Sequence, residues 1–168
     1  MKKLLLAIFF MGFISLPLLS QAQSSASTPK FVKFGKIPPF SFTAVGKKTF
    51  TNKNIKEGVP TMIFLFSVDC SHCQHMTKEI VEDIDKFKHA QILMITPFNY
   101  KQMYAYYRGF GLQKYQNIIT MGSDPTRKLN MFYDQRYYPG IYIYDAEGHL
   151  AFHHEGDIDI NSLAKYLK

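Results

Sequence analysis

The sequence predicts an α/β domain with a central mixed sheet flanked by helices, its middle mainly parallel. Three observations carry that expectation. Compact apolar runs of strand length at 61–68, 91–96 and 117–121 alternate with stretches of helical period. Such runs are how strands covered on both faces read. Alternating strands and helices imply parallel neighbours joined by right-handed crossovers. Finally, two short hairpin patterns, one before and one after this core, predict antiparallel strands. At 168 residues and 46% apolar composition the chain suits one domain.

In chain order, residues 1–22 have the form of a secretory signal. Lys2 and Lys3 are its basic start, 4–19 its apolar stretch, and Ser20-Gln21-Ala22 a small-x-small cleavage site. That places the protein outside the cytosol, in a periplasm, with an uncleaved anchor as the alternative. The formal charge of +7 becomes +5 without Lys2 and Lys3, and no run of five or six Lys/Arg occurs. Nucleic acid binding is therefore unsupported. Residues 23–35 are expected to be a flexible tether and 36–168 the folded domain.

The domain opens with short strands at 40–45 and 48–51 around a Gly46-Lys47 turn. The apolar run 61–68 follows, then a helix whose stripe is Met76, Ile80, Ile84 and Phe87. Asp69 or Ser67 would cap it. The 91–96 strand ends at Pro97. The helix 99–110 aligns Met103, Tyr106 or Tyr107, and Phe110, and is closed by Gly109 and Gly111. After the 117–121 strand, Asp124-Pro125 would open a helix over 126–134. Strands at 141–144 and 150–153 flank D-A-E-G, and Ile160, Leu163, Ala164 and Leu167 form the apolar face of a closing helix.

The only two cysteines, Cys70 and Cys73, sit on the turn from the 61–68 strand into its helix. Unpaired N–H groups and the positive end of the helix dipole favour a thiolate there. As a structural staple, a four-residue ring contributes only about 2 kcal/mol and joins nothing distant. A reversible redox pair accounts better for this placement, with metal binding the other reading. Cys70, at the mouth of the helix, would attack a substrate disulfide, and Cys73 would resolve the mixed disulfide. His72 is a candidate tuner, since a protonated imidazole beside the sulfurs stabilises a thiolate.

The strand–C-x-x-C–helix unit, the downstream Tyr138-Pro139, and the D-A-E-G hairpin followed by Gly156 resemble the thioredoxin fold. The start P-P-F-S-F-T-A-V-G-K-K-T-F, read as an N-terminal β-hairpin, and an extra β-α segment before the last hairpin resemble its TlpA-like or redoxin branch. The resemblance spans about 36–168. It implies an exported thiol–disulfide oxidoreductase that needs no cofactor. Its partners would be protein substrates with cysteines and a membrane or periplasmic redox partner. It also implies that Pro139 is in cis beside the cysteines, an inexpensive state for proline. Tyr138 would then offer backbone groups to an extended substrate. Three positions depart from the family pattern. Asp69 replaces the aromatic before the first cysteine, Met76 an acidic residue, and Lys78 a helix-kinking proline. No buried proton-accepting carboxylate is therefore carried over. The S-H dipeptide is nearer to isomerase and oxidase members than to reductases, which leaves the direction of electron flow open.

Other readings come from the same residues. Ser67 stands three before Cys70 as in peroxiredoxins, but the proline of that family falls on Ile63. A copper metallochaperone would use Cys70, Cys73 and a histidine, drawn from His72, His75, His153 or His154, because thiolate and imidazole suit copper. Tyr100, Tyr104, Tyr106, Tyr107 and Tyr115 make one segment tyrosine-dense, a candidate docking surface or half-buried packing.

Overall fold

A computed structural model describes residues 28–167. The secretory signal and residues 23–27 of the tether lie outside the described residues. The alternation of apolar and helical stretches resolves into β3 (Thr61–Leu65), α2 (Ser71–Glu82), β4 (Gln91–Thr96), α3 (Tyr100–Gly109), β5 (Ile119–Ser123) and α4 (Lys128–Tyr133). Before them come α1 (Lys30–Phe34), β1 (Ser41–Ala44) and β2 (Thr49–Thr51); after them, β6 (Gly140–Tyr144), β7 (Leu150–Glu155) and α5 (Ile160–Ala164). The strands form one seven-stranded sheet in the order β2-β1-β5-β4-β3-β6-β7. β4 runs parallel to both β3 and β5, while β6 and β7 and the β1–β2 pair extend the sheet antiparallel at its two ends. This is the thioredoxin-like architecture.

Side chains of β3 alternate between two apolar layers, as strand geometry requires. Met62, Phe64 and Phe66 pack against Met76 and Ile80 of α2, Met103 of α3 and Leu163 of α5. Ile63 and Leu65 join Leu93, Ile95, Phe31, Leu129 and Tyr133 on the opposite face. With both faces covered, all five residues of β3 are buried. Each large side chain removed from water there contributes roughly 1.5–3 kcal/mol. A strand so fixed holds the turn at its C-terminal end, which carries the cysteines, in one place.

The structure corrects several expectations. Residues 30–34 of the anticipated tether are helix, because Phe31 packs edge-on against the stacked rings of Tyr133 and Tyr142, with ring centroids 5.5 and 5.4 Å away. The Met76 stripe breaks after Glu82 into a 3-10 turn, Ile84–Phe87, that still buries Phe87. The third core strand starts two residues later than its apolar run, with Ile119 in register with Ile92. The helix after Asp124-Pro125 begins only at Lys128, because Arg127 takes a left-handed φ of 56° and interrupts the first turn. The Asp124 carboxylate is instead taken up by Thr126 Oγ1 and by the Leu129 N–H. Both Tyr106 and Tyr107, not one of them, are buried.

Candidate active site

The cap of α2 is Cys70 itself, not Asp69 or Ser67. Its Sγ accepts the Cys73 N–H at 3.3 Å, so a first-turn amide that would lack a partner points at sulfur. Asp69 is exposed, and its own N–H is taken by Ser67 Oγ at 3.3 Å. No acidic residue occupies the first turn of the helix, so nothing there offsets its positive end. Both cysteines are free thiols, Cys70 half-buried and Cys73 0% exposed. Burial, reinforced by the hydrogen bond with Cys70, pushes the Cys73 thiol far above its ordinary range. The pair is thus asymmetric, with one sulfur reachable and the other enclosed and neutral.

Behind Cys73 lies a hydroxyl triangle that the sequence did not announce. Thr77 Oγ1 and Tyr106 Oη approach the Cys73 carbonyl at 2.7 and 3.1 Å and each other at 2.8 Å. Two hydroxyl protons serve three contacts, so two of the three are hydrogen bonds at any instant. Burial pushes the Tyr106 phenol upward, which keeps it a donor. Its ring is wedged between Phe66 and Phe110, at 4.8 and 4.5 Å. The helix turn that carries Cys73 is therefore tied to α3.

The Tyr138–Pro139 bond is cis, and the Tyr138 carbonyl stands 3.9 Å from Cys70 Sγ. Side chains secure the loop around this bond. Asn130 Nδ2 donates to Gln135 Oε1 and to Tyr138 Oη, and Gln135 Nε2 donates to the Tyr137 carbonyl. Glu155 accepts the N–H groups of Arg136 and Tyr137. Gly140 leaves room for the Gln135 amide, since a Cβ there would stand 2.6 Å from Gln135 Nε2 and push that side chain aside. Asn130 and Gln135 escape sequence reasoning because an irregular loop has no period to read, and Glu155 because its partners in that loop lie far from it along the chain. The one available signal was a carboxylate at a strand end directly before Gly156.

His72 lies on the exposed side of α2, 62% exposed, with Nδ1 3.5 Å from Asp157 Oδ2. Its polar partner is that carboxylate and not a cysteine sulfur. His75 pairs with Glu79 at 3.5 Å. His153 packs edge-on against Phe31, 5.0 Å between centroids, on the other face of the sheet, and His154 Nε2 meets the Asp157 carbonyl at 3.1 Å. Among the described residues, no group of three or more His, Cys, Asp or Glu side chains could hold a metal ion. The donor set that the copper reading requires is not assembled. Of the tyrosine-dense segment, Tyr106 and Tyr107 belong to the core, while Tyr104 is exposed and stacks on Tyr100 and Tyr107.

Comparison with known proteins agrees with this fold. The model of the AhpC/TSA family matches residues 35–153. No curated protein matches the sequence. Among solved structures, a candidate disulfide isomerase from Bacteroides thetaiotaomicron is similar at 19% identity and TM-score 0.66, covering 77% of this chain and 84% of its own. A secreted Mycobacterium tuberculosis disulfide oxidoreductase, homologous to E. coli DsbE, is similar at 14% identity and TM-score 0.64, covering 76% and 93%. The exposed lipoprotein thioredoxin Etrx1 of Streptococcus pneumoniae is similar at 22% identity and TM-score 0.58, covering 77% and 98%.

Proposed function

The chain belongs to the AhpC/TSA family and is a thiol–disulfide oxidoreductase of thioredoxin-like fold, and we propose that it works in the periplasm, exchanging electrons with the cysteines of other proteins. The observation that carries this reading is the asymmetric pair: Cys70 half-buried at the helix mouth, Cys73 enclosed one turn behind it with its N–H on the Cys70 sulfur. Export is supported by the leader-like residues 1–22. Among the described residues no helix is long and apolar enough to cross a membrane.

In the reducing direction, Cys70 as thiolate attacks one sulfur of a client disulfide. A Cys70–client bond forms, and the client's second sulfur leaves as a thiolate that takes up a proton. Cys73 then gives up its proton and attacks Cys70 Sγ. The Cys70–Cys73 disulfide forms, the client's first sulfur departs, and two electrons have passed from the pair to the client. Enclosure of Cys73 keeps it from competing for the client in the first step. The reverse sequence oxidises a client dithiol, and the reduction potential of the pair sets the prevailing direction. A membrane or periplasmic redox partner restores the starting state.

Tyr138 and Pro139 serve as the client's rest. A carbonyl 3.9 Å from the nucleophile can pair with the backbone of an extended segment and bring its sulfur to Cys70. His72 acts as a tuner only from an exposed position, 62% exposed, with its Nδ1 3.5 Å from Asp157 Oδ2. A peroxidase role has less support, since Ile63 lies buried within β3 where that family has proline. The deciding experiment follows reduction of a protein disulfide by the full chain in the presence of dithiothreitol. Turnover above the dithiothreitol background that disappears in Cys70→Ser supports the proposal, and a rate unchanged by that substitution ends it.

A further inference from the structure

We propose that Glu155 is a positioning residue for client docking, its carboxylate being the template on which the loop carrying Tyr138 and Pro139 is folded. The inference rests on the docking role given above to Tyr138. Glu155 closes β7 in register with Gly140 of β6, which places its side chain beside residues 134–139. Its Oε2 accepts the N–H groups of both Arg136 and Tyr137 at 3.0 Å, and its Oε1 accepts the Tyr142 hydroxyl at 3.3 Å. Two successive amides converging on one oxygen orient the peptide units immediately before Tyr138. From the other side, the Gly156 N–H donates to the Pro139 carbonyl at 2.8 Å, and Gln135 Nε2 to the Tyr137 carbonyl at 3.0 Å.

This arrangement has a clear reason. An irregular loop has no neighbouring strand to satisfy its amides, and hydrogen bonds to a charged acceptor are the stronger kind. With Arg136, Tyr137 and Pro139 occupied inside the protein, the Tyr138 carbonyl is directed toward Cys70. Glu155 itself makes no hydrogen bond or ion pair with either cysteine, so its effect passes through the loop. The geometry also separates shape from charge. In Glu155→Gln the amide oxygen can still take both N–H groups, while the amide nitrogen can donate to the Tyr142 oxygen. In Glu155→Ala all three contacts vanish.

The test compares full-chain wild type, Glu155→Gln and Glu155→Ala with two oxidants, insulin as a protein disulfide and a small aromatic disulfide that needs no docking loop. Glu155→Ala should raise KM for insulin about tenfold with kcat within about twofold of wild type, and leave the small-disulfide rate within about twofold. Glu155→Gln should restore KM to within about threefold of wild type. An unchanged KM in Glu155→Ala overturns the inference. So does an equal loss with both oxidants, or a Glu155→Gln variant as impaired as Glu155→Ala. Amide exchange in the wild type provides a measurement that does not depend on how well a variant folds. The Arg136 and Tyr137 amides should exchange at least about a hundredfold more slowly than exposed loop amides, and free exchange would also overturn it. A wild-type chain that reduces the small disulfide but not insulin would instead remove the docking role of Tyr138.

Discussion

Replacing Cys73 with serine removes the sulfur that completes the exchange and leaves Cys70 in place. In the wild type, a mixed disulfide on Cys70 is attacked from one helical turn away, by a residue whose N–H already reaches the Cys70 sulfur at 3.3 Å. Well-oriented intramolecular reactions correspond to effective concentrations of about 10⁵–10⁸ M. Burial raises the Cys73 thiol, so only a small fraction ionises at neutral pH. Burial therefore cuts into that advantage, yet an attack from within the same helix turn remains available only to the wild type. Against an external thiol at about 10 mM, the Cys70–client bond should then last at least about tenfold longer in Cys73→Ser than in the wild type. The assay incubates the variant with an oxidised client or periplasmic extract and resolves adducts on gels with and without reductant. A thiol-sensitive adduct that requires Cys70 is the expected result. No adduct, or one as short-lived as in the wild type, would refute Cys73 as the resolving group.

Three further outcomes follow from the same geometry. Tyr106→Phe keeps the ring packing but removes the hydroxyl beside the Cys73 carbonyl and Thr77. It should cost about 1–2 kcal/mol, a melting temperature lower by roughly 2–8 °C, measured by calorimetry. At alkaline pH, Cys73 and Tyr144 are protonated more firmly in the folded chain than in the unfolded one, Tyr144 being pushed up to about 12. The unfolded state therefore loses protons first, and stability should be fully present below pH 9 and fall as pH rises above the ordinary values of 9.0 and 10.0. Urea unfolding at pH 8 and pH 10.5 checks this, and a midpoint that rises with pH would contradict it. His72→Ala should make the pair less oxidising by no more than about 20 mV, because the imidazole is largely exposed and faces Asp157. A redox titration of that variant decides it.

Much of the architecture was legible because period and packing coincide in this chain. The nearly unbroken apolar run 61–68 reads as a doubly covered strand, which the structure forms over Thr61–Leu65, and Met76, Ile80 and Phe87 do line the core. The cysteines stood out because a strand-to-helix turn is where their chemistry is promoted, and the structure puts Cys70 at the helix cap. What escaped leaves no periodic mark in the sequence, whether its contacts are local or distant. Phe31 fell inside the 23–35 tether boundary because its anchors, Tyr133 and Tyr142, lie far along the chain. Asp124-Pro125 has the pattern of a helix start, and nothing local signals that Arg127 turns left-handed. The partners of Cys73 and of the proline loop come from residues 77, 106, 130, 135 and 155, each chemically ordinary on its own. His72 shows the converse case, since a place between the two cysteines in the chain does not turn its ring nitrogen toward sulfur.

The most direct test brings the purified chain to equilibrium with glutathione buffers of graded potential, then counts alkylated thiols by mass. The account predicts that positions 70 and 73 lose two hydrogens together in one two-electron transition, with intermediate adducts scarce. A midpoint near −120 to −180 mV would assign oxidation or isomerisation, and one near −270 mV or below, reduction. Cysteines that stay reduced at every potential, or that accumulate as stable glutathione adducts on Cys70 with Cys73 untouched, would contradict it.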